Sequence, residues 1–193
     1  MSCSFPYTVK QKGVVARVGF GKITCSEKEI DDIRYMHFTI HRSPTKDVAL
    51  YLDSRLWSDQ NTLLSVWSAI DAAEQVTPCR DQCYITMEPL GLKIAGDSLG
   101  LATFVALLGY VPSDVFLFTG FIQHFGAKEG KKDLLDLPIE GIDSAGEKCQ
   151  GCFLKKKKLV LSVRCQMDQK LKDEFSDTLI WVDTVRDVLN ILS

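Results

Sequence analysis

The chain has 193 residues, 46% hydrophobic and 25% charged, with a formal net charge of −2. That is material for one domain with a sizeable core and the composition of an ordinary soluble globular protein. The near-neutral balance gives no footprint for nucleic acid, no apolar run is long enough to span a bilayer, and the segment after Met1 lacks the apolar core of a secretory signal, so neither nucleic acid nor membrane is an expected partner.

From Thr8 to Ile23, valines at 9, 14, 15 and 18 with glycines at 13, 19 and 21 predict one or two strands bent at glycine. Ile33 to Ile40 alternates, Ser43-Pro44-Thr45-Lys46 signals a turn, and Val48 to Leu52 alternates again, which predicts a hairpin. Ser58 or Asp59 caps a helix reaching Val76, with Leu63, Val66, Trp67, Ile70 and Ala73 on its apolar face and Pro78 as its stop. Gln82 to Met87 is a strand. Asp97 to Leu108 is an apolar helix in which Gly100, Ala102 and Ala106 permit close packing, and Val115 to Ile122 is a strand. His124 to Asp136 is polar and reads as an exposed loop. Ser144-Ala145-Gly146-Glu147 has the form of a capping box opening a helix that carries Lys148. Lys155 to Lys158 is a solvated approach to the buried strand Leu159 to Val163. Ile180-Trp181-Val182 is a short strand, and Asp183 caps a last helix through Leu192. Strands alternating with helices predict an α/β (α+β) class with mixed sheets packed against helices. Residues 1–55 form a β-rich N-terminal part of the same domain, and 56–193 the core.

Seven cysteines, an odd number without scaffold spacing, point to free thiols in a reducing, cytoplasmic setting. Cys149 and Cys152, with Cys79 and Cys83, have the count for zinc. One pair lies in a predicted helix, however, and the other has a three-residue gap, so small buried core cysteines are the expected reading and no metal or cofactor is called for.

Ser98 lies in Lys93-Ile94-Ala95-Gly96-Asp97-Ser98-Leu99-Gly100, where a strand turns into a helix. Lys148 follows some way downstream near the start of another helix. This is the layout of a Ser/Lys hydrolase. None of the three histidines lies in a triad signature, so a lysine must serve as the base. Backbone N–H groups at Asp97–Ser98 are candidate oxyanion donors, Asp97 is a turn former or helix cap, and the small residues Ala95 and Gly96 leave room for a substrate backbone.

The second half, from about Tyr84, resembles the proteolytic domain of the Lon proteases. The resemblance rests on an ordered series: Gly96-Asp97-Ser98 before a small-residue helix, the pair Thr119-Gly120, Leu137-Pro138-Ile139-Glu140-Gly141, a lysine-bearing helix, and a basic-to-apolar strand at Lys158 to Ser162. Trp181-Val182-Asp183 and Val185 to Leu192 resemble the family's closing segment, and the helix Leu56 to Val76 falls where the family has one. The resemblance implies a Lon-like fold, Ser98 as nucleophile, Lys148 as base and Thr119 as the hydroxyl that orients the lysine. Two departures stand out. Glu140 replaces the first glycine of the Leu-Pro-Ile-Gly-Gly motif, and the family's usual lysine offset from Gly141 falls on Ala145, with Lys148 three residues later. If Lys148 is an exposed helix lysine, the base is missing at Ala145 and the chain is an inactive module for oligomerisation or peptide binding. Gly126-Ala127-Lys128-Glu129-Gly130-Lys131 lacks the spacing of a nucleotide-binding loop, and 193 residues leave no room for the ATPase that Lon uses. The chain therefore resembles the stand-alone Lon-like proteases, including those that process birnavirus-type polyproteins in the host cytoplasm. An ATP-independent serine endopeptidase that cuts flexible or unfolded polypeptide, possible as a homo-oligomer, is the expectation.

Overall fold

A computed structural model describes the side chains of residues 59–76, 96–109, 116–123, 133–154 and 156–193, and elsewhere the backbone of the strands named below. The bends at Gly19 and Gly21, Pro78, Cys79 and most of the polar segment after His124 lie outside the described residues.

The strands are β1 Val9–Ala16, β2 Ile23–Cys25, β3 Lys28–Ile30, β4 Tyr35–Pro44, β5 Ala49–Leu52, β6 Trp57–Ser58, β7 Asp81–Glu88, β8 Lys93–Ile94, β9 Phe116–Phe118, β10 Phe121–Ile122, β11 Ile139–Glu140, β12 Lys158–Ser162 and β13 Leu179–Val182. The helices are α1 Gln60–Val76, α2 Leu99–Leu107, α3 Ala145–Leu154, α4 Gln169–Glu174 and α5 Val185–Leu192, with one 3-10 turn at Leu134–Asp136. Seven strands form one mixed sheet in the order β13-β12-β9-β1-β4-β7-β5. Pairing is parallel from β13 to β1, antiparallel through β4 to β7, and parallel again between β7 and β5. The molecule is thus of the general α/β class.

The expected hairpin of the β4 and β5 segments does not form. A turn signal dictates that the chain reverses, not that the two strands become neighbours. Here β7 occupies the slot between them, with Phe38 opposite Met87 on one side and Leu50 opposite Cys83 on the other. Strand β5 is joined to its parallel partner β7 through α1, the long crossover that parallel pairing requires.

The C-terminal strands are covered on both faces, and their residues alternate accordingly. Phe118, Val160 and Val182 join a core with α1, α2 and α5, whereas Leu117, Leu159, Leu161 and Leu179 join one with Ala145, Cys149 and Cys152 of α3 and with Phe175. This two-residue alternation between two cores explains why Leu159-Val160-Leu161 is an unbroken apolar run. Every residue of α2 is buried, as its all-round apolar sequence requires.

Several boundaries differ from expectation. Helix α1 begins at Gln60, as a cap at Asp59 predicts, and not at Leu56 where the family resemblance set it, because Trp57–Ser58 pairs with β8. Its buried face carries Thr62, Ser65 and Ser68 beside Val66, Ala69, Ile70 and Ala73, while Leu63 is 41% exposed. The expected strand Val115 to Ile122 is broken at Thr119-Gly120, where Gly120 has φ 140°. Helix α4 was not anticipated. The last helix is capped by Thr184, one residue after Asp183, in a capping box with Asp187.

Candidate active site

The short parallel pair of β6 and β8 sets Ser58 opposite Ile94, so Asp59 and Gly96 leave it side by side. The Asp59 carboxylate accepts the Thr62 N–H at 2.8 Å, capping α1, and its other oxygen accepts the Gly96 N–H at 3.0 Å. The Thr62 N–H, with the Gly96 N–H behind it, holds the Asp59 pKa below its usual value. The Thr62 hydroxyl lies 2.7 Å from the Gly96 carbonyl oxygen and 2.8 Å from Asp59, and its single proton serves one of them at a time. The Ser65 hydroxyl donates to the Asp97 carbonyl. One face of α1 therefore grips the turn Gly96-Asp97-Ser98. Gly96 has φ 85°, a conformation costly for residues with a Cβ.

Ser98 is the N-cap residue of α2, yet its hydroxyl makes no capping bond. The reason lies in the backbone around it. The two N–H groups a capping serine serves are already taken, that of Gly100 by the Asp97 carbonyl at 3.3 Å and that of Leu101 by the Gly120 carbonyl at 2.8 Å. Gly120 in turn donates to the Ser98 carbonyl at 3.4 Å. The Ser98 hydroxyl, half-buried, is left available at a fixed turn.

Lys148 is 5% exposed. It shares the inward face of α3 with Ala145, Cys149 and Cys152, and its Nζ donates to Thr119 Oγ1 at 3.0 Å. Thr119 itself is fully buried at the carboxyl end of β9, where its N–H is held by the Val160 carbonyl. Burial brings the Lys148 pKa down from 10.5 to about 8, against the opposing pull of the Asp97 charge. The same burial raises the Asp97 pKa, with Lys148 working the other way. Lys148 is therefore not an exposed helix lysine. The capping geometry expected ahead of it is different, since Ser144 has φ 59° rather than the extended backbone of a side-chain N-cap.

Glu140 accepts from Arg164 at 2.9 Å, and Arg164 also reaches Asp183 at 3.1 Å. This ties the segment before α3 to the one after β12. Beside it, a Cβ on Gly141 would lie 2.6 Å from the Arg164 carbonyl oxygen, so only glycine fits. The Ile142 N–H reaches Cys165 Sγ at 3.5 Å.

No model of a known protein family matches the chain, and no curated protein matches it. The site stands on its own geometry. Of the five residues singled out in the sequence, Lys148 bonds Thr119, the neighbouring Gly120 N–H bonds the Ser98 carbonyl, and the Asp97 and Lys148 charges act on each other, with Gly96 opening the same turn; the Lys148 Nζ hydrogen bond goes to Thr119 and not to Ser98. Asp59, expected as a helix cap and found as one, belongs to the same cluster, as do Thr62 and Ser65, which were not singled out. Their signal was present as Asp59-x-x-Thr62 at a helix start with Ser65 one turn on. Among the described residues no three metal-ligating side chains converge. Cys149 and Cys152 are buried and free, and the side chains of Cys79 and Cys83 lie outside the described residues. No helix among the described residues is long and apolar enough to cross a membrane.

Proposed function

We propose that the protein is a Lon-like serine endopeptidase with a Ser98/Lys148 dyad, acting without ATP on flexible or unfolded polypeptide. The observation that carries this reading is Lys148: a buried amine, with its pKa lowered to about 8 and aimed by Thr119, is the form of lysine that can accept a proton near neutral pH. The available Ser98 hydroxyl and the ordered motifs from Gly96 to Ser162 support it.

In this mechanism neutral Lys148 takes the Ser98 hydroxyl proton as the oxygen attacks the scissile carbonyl. Thr119 Oγ1, accepting from Lys148 Nζ, keeps the amine in one direction. The N–H groups of Asp97 and Ser98 stabilise the oxyanion that develops. Lys148 then protonates the leaving amine, and water, activated by the same lysine, hydrolyses the resulting ester. A polyprotein is one substrate of the expected kind, because its junctions are extended and flexible.

The test is reaction with a serine-directed phosphonate and cleavage of unfolded casein. Wild-type protein should be labelled at Ser98 and cleave, while Ser98→Ala should do neither and keep its circular dichroism. A wild-type protein that is inert to both reagents would make the chain a binding or oligomerisation module instead.

A further inference from the structure

Resting on that reading, we infer that Thr62 and Ser65 are positioning residues that aim the oxyanion donors. The argument follows from peptide planarity. A trans peptide is flat, so its C=O and N–H point in opposite directions and fixing one fixes the other. The Gly96 carbonyl and the Asp97 N–H belong to one such plane, and the Asp97 carbonyl and the Ser98 N–H to the next. Thr62 Oγ1 reaches the first carbonyl at 2.7 Å, and Ser65 Oγ donates to the second. Both carbonyls are drawn toward α1, so the N–H groups of Asp97 and Ser98 face away from it. Asp59, accepting from the Gly96 N–H at 3.0 Å, anchors the preceding plane. Thr62 and Ser65 are each 1% exposed, so both anchors are shielded from competing water. A carbonyl that accepts hydrogen bonds also polarises its own peptide and strengthens the N–H at the other end. Close approach of the helices makes the Ser65 anchor possible: a Cβ on Gly100 would lie 2.4 Å from Ser65 Oγ.

A donor aimed at charge that develops only in the transition state affects kcat and leaves KM alone. The experiment uses Thr62→Val and Ser65→Ala, with steady-state kinetics on a peptide and inhibition by a peptide boronate, which adds to a serine oxygen as a tetrahedral anion. Each variant should lose about 10-fold or more in kcat, short of the 10²–10³ for deleting a donor outright. KM should hold, boronate affinity should fall with kcat/KM, and the pH midpoint set by Lys148 should not move. Thr62→Ser, which keeps the hydroxyl, should recover the rate. Unchanged kcat and boronate affinity in both variants would overturn the inference while leaving the Ser98/Lys148 reading intact. A loss that appears only as raised KM or only as lowered Tm would overturn it too. Full activity of Ser98→Ala would remove the underlying reading, and this inference with it.

Discussion

Lys148 carries both chemistry and a cost. The shift of its pKa from 10.5 to about 8 corresponds to about 3 kcal/mol of disfavoured burial for the charged form. The sign follows from proton counting. Between about pH 8 and 10.5 the unfolded chain holds the lysine proton and the folded chain does not, so this group makes folding more favourable as pH rises through that window. Wild type should gain up to about 3 kcal/mol there relative to Lys148→Met, measured by urea unfolding at pH 7.5 and 10. The same titration should make peptidase activity climb through about pH 8, and Lys148→Met should be inactive at every pH. A flat rate from pH 6.5 to 9 would count against the lysine as base. Neighbouring thiols behave oppositely: burial pushes Cys149 to about 11 and Cys152 to about 12. Both stay protonated and shielded at neutral pH, so iodoacetamide at pH 7.5 should leave them unmodified in the native protein, and reducing agent should not alter activity. Ser98 was legible because Gly-Asp-Ser at a strand-to-helix passage is a local pattern. Lys148 was legible only through the helix start read at Ser144-Ala145-Gly146-Glu147, since the offset from Gly141 falls on Ala145 and nothing local distinguishes a buried lysine from a solvated one. Thr62 and Ser65 were hidden for the opposite reason: small polar residues on a helix read as its wet face, yet here they serve another segment's backbone.

At the level of elements, close approach decides most of the site. Gly141 sits so near the Arg164–Cys165 backbone that alanine would place its Cβ 2.6 Å from the Arg164 carbonyl. Gly141→Ala should destabilise by about 1–3 kcal/mol, read as a lowered Tm, since backbone cannot give way as a side-chain tip can. Gly100→Ala should be of similar size, and it should also lower kcat by spreading α1 from the serine turn. Apolar periodicity placed α1, α2 and the strand of Leu159 correctly. It named Leu63 for the apolar face of α1, although Leu63 and Leu64 are exposed and small residues are buried instead. The helix packs by nearness of backbone to α2, and a hydrophobicity pattern does not register that. Helix α4 escaped notice because its six residues are mostly charged and none is buried, so it has no apolar stripe to read.

For the molecule as a whole, the class was legible and the strand order was not. Alternating strands and helices announce a mixed sheet, whereas the neighbours of β4 and β5 depend on where α1 delivers β7, a long-range outcome. The proposed activity also has a consequence at this scale. If the proposed activity resides in these 193 residues, casein or an extended linker should be cut and a stable folded domain should not, with no effect of ATP. Efficient cleavage of the folded domain in the same assay would contradict the proposal.

The insertion of β7 between β4 and β5 also bears on synthesis. A ribosome releases β4 and β5 well before β7, since β5 ends at Leu52 and β7 closes at Glu88. At ~5–20 residues per second, the gap between them stands open for roughly two to seven seconds. During that interval each nascent chain presents the facing edges of β4 and β5 unpaired to every other chain on the same message, which makes slow translation through α1 an aggregation hazard.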